Sequence, residues 1–309
     1  MRRASGPKST TAAGALARLA LALLTLEALS CNGGGSGGGT IELSYRSSLT
    51  QAQQAAFEAA RDRLQKVITG GLTAVVVANQ TCDDQSATPP TIDQTVNGLL
   101  ILVNVTDLGQ TGIIAQSGPC LVRSKSRLPI VSVMKLNSVS LSALSDESLR
   151  KTVLHEMTHA LGFGTVWDAT ARAPLPPLLE AHNFTGAQAL AAAKSSNGAP
   201  ISWTSVPVED CMTAPAGCGP GTLDSHWRWS VFGDELMTGW ITSGAQPFSA
   251  TTIASLGDLG YSVDLTRADA FTIPSPSAAL RALTAEPPPV ELGDDVLHVR
   301  PVEVDDSSP

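Results

Sequence analysis

Aromatic side chains are scarce in this chain, at 4% of 309 residues, so a core must rest on Ala, Leu, Val and Ile. Positive charge is also short: 20 Lys and Arg face 28 Asp and Glu, for a formal net charge of −8. A nucleic-acid-binding surface needs a basic face to neutralise phosphates, so this balance argues against that class. No uninterrupted apolar run reaches the about 18 residues of a membrane-spanning helix, and none is expected in the mature protein. Internal repeats are lacking too. What is present, 43% apolar and 16% charged residues, is globular composition. The length suits about two domains, or one with long insertions.

Arg2, Arg3 and Lys8 precede an apolar stretch over 12–29, densest at 19–24, which is the layout of a secretory signal. The stretch ends at Ala28-Leu29-Ser30-Cys31, and a Gly/Ser run over 33–39 follows. Cleavage before Cys31, lipidation of that residue and a flexible tether resemble a bacterial lipoprotein; a simple secretory signal is the alternative. Five cysteines are present. With Cys31 set aside for lipid, Cys82, Cys120, Cys211 and Cys218 can pair in three ways. The most local pairing joins Cys82 to Cys120 and Cys211 to Cys218, closing loops that contribute about 4 and 2.5 kcal/mol on the chain-entropy model. Disulfides and a signal agree on an oxidising compartment. The expected location is therefore outside the cytoplasm, as a cell-surface or periplasmic lipoprotein or a secreted protein.

Segment 41–46 (IELSYR) alternates as a half-buried strand should. Segment 49–68 carries Leu49, Ala56, Phe57, Ala60, Leu64 and Val67 at helical spacing, with Gly70-Gly71 as the stop. Runs 72–78 and 98–105 read as buried strands, with a loop over 79–97 between them, and 128–136 (LPIVSVMKL) reads as another strand. Ser145 caps a helix that starts at Asp146 and runs to about Gly162. Further helices fit 186–194 and 250–259. The acidic, Pro-rich 286–309 reads as a mobile tail. The expected organisation is a signal over 1–30, a tether over 31–40, an N-terminal subdomain over 41–164, a C-terminal subdomain over 165–285, and the tail.

The chemistry concentrates in His155-Glu156-Met157-Thr158-His159. Residues four apart on a helix share a face, so both imidazoles can reach one tetrahedral Zn²⁺. Glu156 is rotated about 100° from His155 and stands beside the metal, where it can take a proton from water. The stripe Leu149, Val153, Met157, Ala160 and Leu161 anchors the helix in the core. A catalytic zinc has three protein ligands and an open position. The third comes from His182, His226 or His298, or from a carboxylate such as Glu180, Glu209 or Glu235. The metzincin spacing H-E-x-x-H-x-x-G-x-x-H supplies Gly162 but meets Thr165 where its last histidine belongs.

The segment 155–163 (HEMTHALGF), with 225–240 (SHWRWSVFGDELMTGW) roughly sixty residues on, resembles the leishmanolysin family of metzincin peptidases. Segments 183–192, 206–209, 253–263 and 127–137 (RLPIVSVMKLN) are similar to it as well, so the resemblance covers roughly 127–263. It implies an α+β metzincin-like zinc peptidase, with a mixed twisted sheet, a zinc-binding helix and a mostly irregular C-terminal subdomain. His226 matches the third zinc ligand and Met237 the methionine of the Met-turn. The strand containing Ile130, Val131, Ser132 and Val133 would pair with substrate backbone. Two departures stand out: the family's large cysteine set is mostly missing, and only about ten residues separate Cys31 from the first strand, leaving no room for the usual propeptide.

The expected function is a zinc-dependent endopeptidase with one catalytic Zn²⁺, His155, His159 and His226 as ligands and Glu156 as the base. Its partners are protein or peptide substrates, with no nucleic acid and membrane contact by a lipid anchor alone. The alternatives are a zinc-braced adhesin without turnover and a zinc hydrolase of a non-peptide amide.

Overall fold

The structure is a computed structural model that describes residues 40–306, apart from 85, 110–111, 214–217, 276–277, 279–289 and 298–299. The expected signal, Cys31 and its lipid, most of the tether, and His298 lie outside the described residues.

A six-stranded mixed sheet organises the fold. Its strands are β1 (Thr40–Tyr45), β2 (Ala74–Thr81), β3 (Thr91–Thr106), β4 (Ala115–Arg123), β5 (Pro129–Asn137) and β6 (Val302–Val304). The order is β1-β3-β5-β4-β6, with β2 paired to β3. The long strand β3 serves twice. Its first half runs antiparallel to β2, and its second half lies parallel to β1 and β5. This corrects the expected loop over 79–97: Ile92 and Val96 alternate with polar residues and are buried, so the strand begins at Thr91.

Strand β5 is buried along its whole length, and its register is set by Leu100 opposite Val131 on one side and Ala115 opposite Leu136 on the other. It is therefore an interior strand. The expectation that Ile130, Val131, Ser132 and Val133 form a substrate-pairing edge is corrected here, because both hydrogen-bonding sides of β5 are taken by β3 and β4. The strand outside it, β4, contains Gly118 and Pro119, which mask its strand character in the sequence.

The period of two on β3 divides the core. Leu99, Ile101 and Val103 face a cluster with Phe57 and Leu64 of helix α1 (Gln51–Val67) and Val153 and Met157 of helix α2 (Asp146–Ala160). Leu100 and Leu102 face the opposite cluster with Val75, Val77, Leu121 and Ile130. Helix α1 opens with a capping box between Thr50 and Gln53. At the start of α2, Ser145 accepts from the Ser148 amide, and Asp146 and Glu147 occupy its positive end.

The second half of the described chain carries helices α3 (Ala187–Ser196) and α4 (Ala250–Leu259), packed on one another among short strands and loops. Cys82–Cys120 and Cys211–Cys218 are disulfide-bonded, as the local pairing predicts. The mobile tail expected over 286–309 is not found in its described part. Val290 and Glu291 pair with Trp240 and Ile241, β6 pairs parallel with β4, and Leu292 is fully buried. Alternating apolar residues there find an unfilled sheet edge, which composition alone does not register.

Candidate metal centre

Helix α2 places His155 and His159 on one face, and Gly162 ends it with φ 105°. A Cβ at that glycine would run into Val166, so the sharp turn requires its absence. The reversal brings the Phe163 carbonyl to 2.8 Å from His159 Nδ1. Two residues further, Gly164 at φ 68° lies directly against the Ser225 backbone, which lets the 225–226 segment approach the end of the helix.

His226 is held from both chain directions. Its carbonyl accepts from the Glu209 amide at 2.9 Å, and Val208 and Trp227 form an isolated antiparallel bridge. Trp227 donates its amide to the Met237 carbonyl at 2.9 Å and its indole N–H to Thr252 at 2.7 Å. Its ring packs on Phe163, Phe184 and Phe232. Met237 is fully buried in the same turn, and the carbonyl before it, that of Leu236, lies 2.7 Å from His155 Nδ1.

Each imidazole thus meets an acceptor at Nδ1: the Leu236 carbonyl, the Phe163 carbonyl and, for His226, Ser225 Oγ at 3.0 Å. The Ser225 hydroxyl itself donates to the Gly221 carbonyl, leaving its lone pair for His226. With Nδ1 donating, each Nε2 presents a lone pair. The three Nε2 atoms stand 3.0, 3.0 and 3.1 Å apart, and none has a proton to offer the others. Three converging lone pairs in a buried site call for a cation. Bonds of ~2.0–2.1 Å in a tetrahedron place nitrogens ~3.3 Å apart, so the observed triangle suits Zn²⁺ to within a few tenths of an ångström.

A fourth donor joins them. Oδ2 of Asp295 lies 3.0 Å from His226 Nε2, 3.2 Å from His155 Nε2 and 4.0 Å from His159 Nε2, and the residue is fully buried. His155, His159, His226 and Asp295 form a group that could hold a metal ion. Asp295 was not among the expected ligands. Its signal in the sequence is an acidic pair, Asp294-Asp295, enclosed by Leu292 and Val296, both of which are buried.

The other candidates lie elsewhere. Glu209 is buried but accepts from the amides of Cys211 and Trp229. Glu235, also buried, accepts from Ser249, Thr252 and the Met237 amide. Glu180 is exposed in a two-residue strand, and His182 pairs with Asp224 at 2.7 Å. Glu156 is fully buried, and neither carboxylate oxygen has a hydrogen-bond partner. Burial, and then the charge of Asp295, push its pKa well up. Burial likewise holds His155 and His159 below the usual imidazole range, which keeps their lone pairs free.

The sequence profile of the leishmanolysin family matches residues 46–278, a span that contains the three histidines and Glu156 but not Asp295. A leishmanolysin homolog of Crithidia fasciculata is 29% identical over 168 residues, covering 48% of this chain and 22% of that protein. Leishmanolysin of Leishmania chagasi is 26% identical over 213 residues, covering 62% of this chain and 32% of the relative. That of Leishmania donovani is 27% identical over the same length, again covering 32% of the relative. The matched part therefore spans a third or less of these relatives. With the profile covering most of its length, the chain belongs to the leishmanolysin family.

Proposed function

We propose that this protein is a zinc-dependent endopeptidase of the metzincin type, with His155, His159 and His226 holding the ion and Glu156 as the catalytic base. The observation that carries this is a pair of features: three Nε2 lone pairs converge, and one residue along the same helix a buried carboxylate has no partner. A purely structural site has no use for that carboxylate, whose desolvation costs stability. A bound Zn²⁺ supplies Lewis acidity, lowering the pKa of water and polarising a peptide carbonyl. Glu156 accepts the proton of the attacking water and returns it to the departing amine. The Leu236 and Phe163 carbonyls and Ser225 fix the tautomer and orientation of the three rings. Met237, fully buried next to Leu236, takes the role of the Met-turn residue in this reading.

Export, with Cys31 as a lipid anchor, belongs to the same proposal. The two disulfides support an oxidising compartment. Cys31→Ser is expected to move the protein from the membrane to the soluble fraction; an unchanged distribution removes the anchor.

The test of the activity is digestion of casein together with metal analysis. The protein is expected to hold one Zn²⁺ per chain and to lose cleavage on chelation. Glu156→Gln should keep the metal while turnover falls by about 10²–10⁴. His226→Ala should lose most of the zinc, whereas Glu209→Ala should keep it. Equal turnover of the Glu156→Gln and unaltered proteins ends the proposal.

A further inference from the structure

The chain fills its own site. From Leu292, whose amide donates to the Gly239 carbonyl at 3.0 Å, the C-terminal segment runs along β4. The Ser117 amide donates to the Asp295 carbonyl at 2.8 Å, and the Leu297 amide returns a bond to Ser117 at 3.0 Å. Further on, Val302, Glu303 and Val304 lie parallel to Leu121, Val122 and Arg123, and the Ser124 amide donates to the Val304 carbonyl at 2.9 Å. The segment is anchored at its far end by Glu303, 2.7 Å from the buried guanidinium of Arg127. Strand β4 is antiparallel to its inner neighbour β5, so the tail covers the outer side of β4 that would otherwise be free.

An extended peptide recognised by strand addition needs that free backbone edge. A catalytic metal needs one position free for water and carbonyl. Residues 292–297 and 302–304 cover the first, and the carboxylate of Asp295 stands at the second. Resting on the peptidase proposal above, we infer that residues 292–297 and 302–304 act as a built-in inhibitor, with Asp295 as a removable fourth ligand and β4 as the substrate-pairing edge beneath them. Two features distinguish a latch from a permanent structural ligand. Oδ1 of Asp295 is buried with no partner, so outside the histidines no bond locks the carboxylate, and both oxygens of Glu156 are likewise buried without partners. Activation is then displacement or cleavage of this segment, which uncovers the metal and β4 together.

The test uses full-length Co²⁺-substituted protein, with acetohydroxamate as a probe of the open position, read by visible absorption. Asp295→Ala should bind the probe at least about tenfold more tightly, as follows if the open form is a tenth of the population or less. Glu303→Ala, far from the metal and half exposed, should give a smaller gain in the same direction with metal content unchanged. Casein cleavage should rise in both variants. If Asp295→Ala loses metal without gaining probe affinity and Glu303→Ala changes nothing, Asp295 is a structural ligand and the inference is overturned. Equal probe affinity in all three proteins overturns it as well. Should probe affinity rise while no variant cleaves casein, the latch stands and the peptidase proposal falls.

Discussion

Glu235 shows how a carboxylate can govern a metal centre without touching it. Its oxygens accept from Ser249 and Thr252 on one side and from the Met237 amide on the other. Burial raises its pKa even so. Those bonds fix the turn whose Leu236 carbonyl orients His155. Glu235→Ala should cost about 3 kcal/mol of stability and weaken zinc binding about 10–100-fold, read by thermal melting and chelator competition. Loss of stability with unchanged zinc affinity would detach the turn from the site. Among the candidate ligands, His155 and His159 were legible because helical spacing converts directly into proximity. His226 became legible only through a resemblance, since no local periodicity links it to the helix. Glu180, Glu209, Glu235 and the histidines competed for the third place because a sequence does not say which carboxylate the fold will surround with amides. Asp295 was missed for the same reason: its burial depends on a strand pairing nearly two hundred residues away.

Elements with a strong period were readable, and those whose partner lies far off were not. Helices α1, α2 and α4 fall where their apolar spacing and caps place them, because each carries its own start signal in Thr50, Ser145 and Ser249. Strand β4 was invisible, as Gly118 and Pro119 interrupt its propensity, and only pairing with β5 makes it a strand. Helix α3 illustrates capping supplied from outside. Its N-cap, Gly186, has no side chain to give, and Asp258 of α4 accepts from the amides of Gln188 and Ala189 at 2.9 and 2.8 Å instead. Asp258→Ala should therefore destabilise the protein by about 1–2 kcal/mol through α3 alone. Amide exchange should quicken at the start of α3 and stay unchanged in α2. Uniform acceleration across both helices would mean that Asp258 supports the fold more broadly than a cap.

At the scale of the molecule, the four residues that could hold a metal ion come from α2, from the segment around His226 and, through Asp295, from the far end of the described chain. Without an ion, three neutral imidazoles point lone pairs at each other and at a buried carboxylate, an arrangement with no internal compensation. A native state that takes up Zn²⁺ as proposed binds it far better than the unfolded chain does, and each decade of free zinc above the dissociation constant should then add about 1.4 kcal/mol to stability. At a thousandfold excess the gain is about 4 kcal/mol, which for a domain of this size corresponds to a melting temperature raised by roughly 10 °C. The two disulfides act differently, by constraining the unfolded chain, and stay closed when a chelator is added. Chelation of the oxidised protein should thus lower the melting temperature by about that amount, and graded readdition of Zn²⁺ should restore it linearly in the logarithm of free metal. Asp295→Ala should retain most of this shift, because the three imidazoles carry the affinity, whereas His226→Ala should abolish it. A melting curve indifferent to chelator would mean that the converging imidazoles hold no ion, and both the peptidase proposal and its latch would go with it.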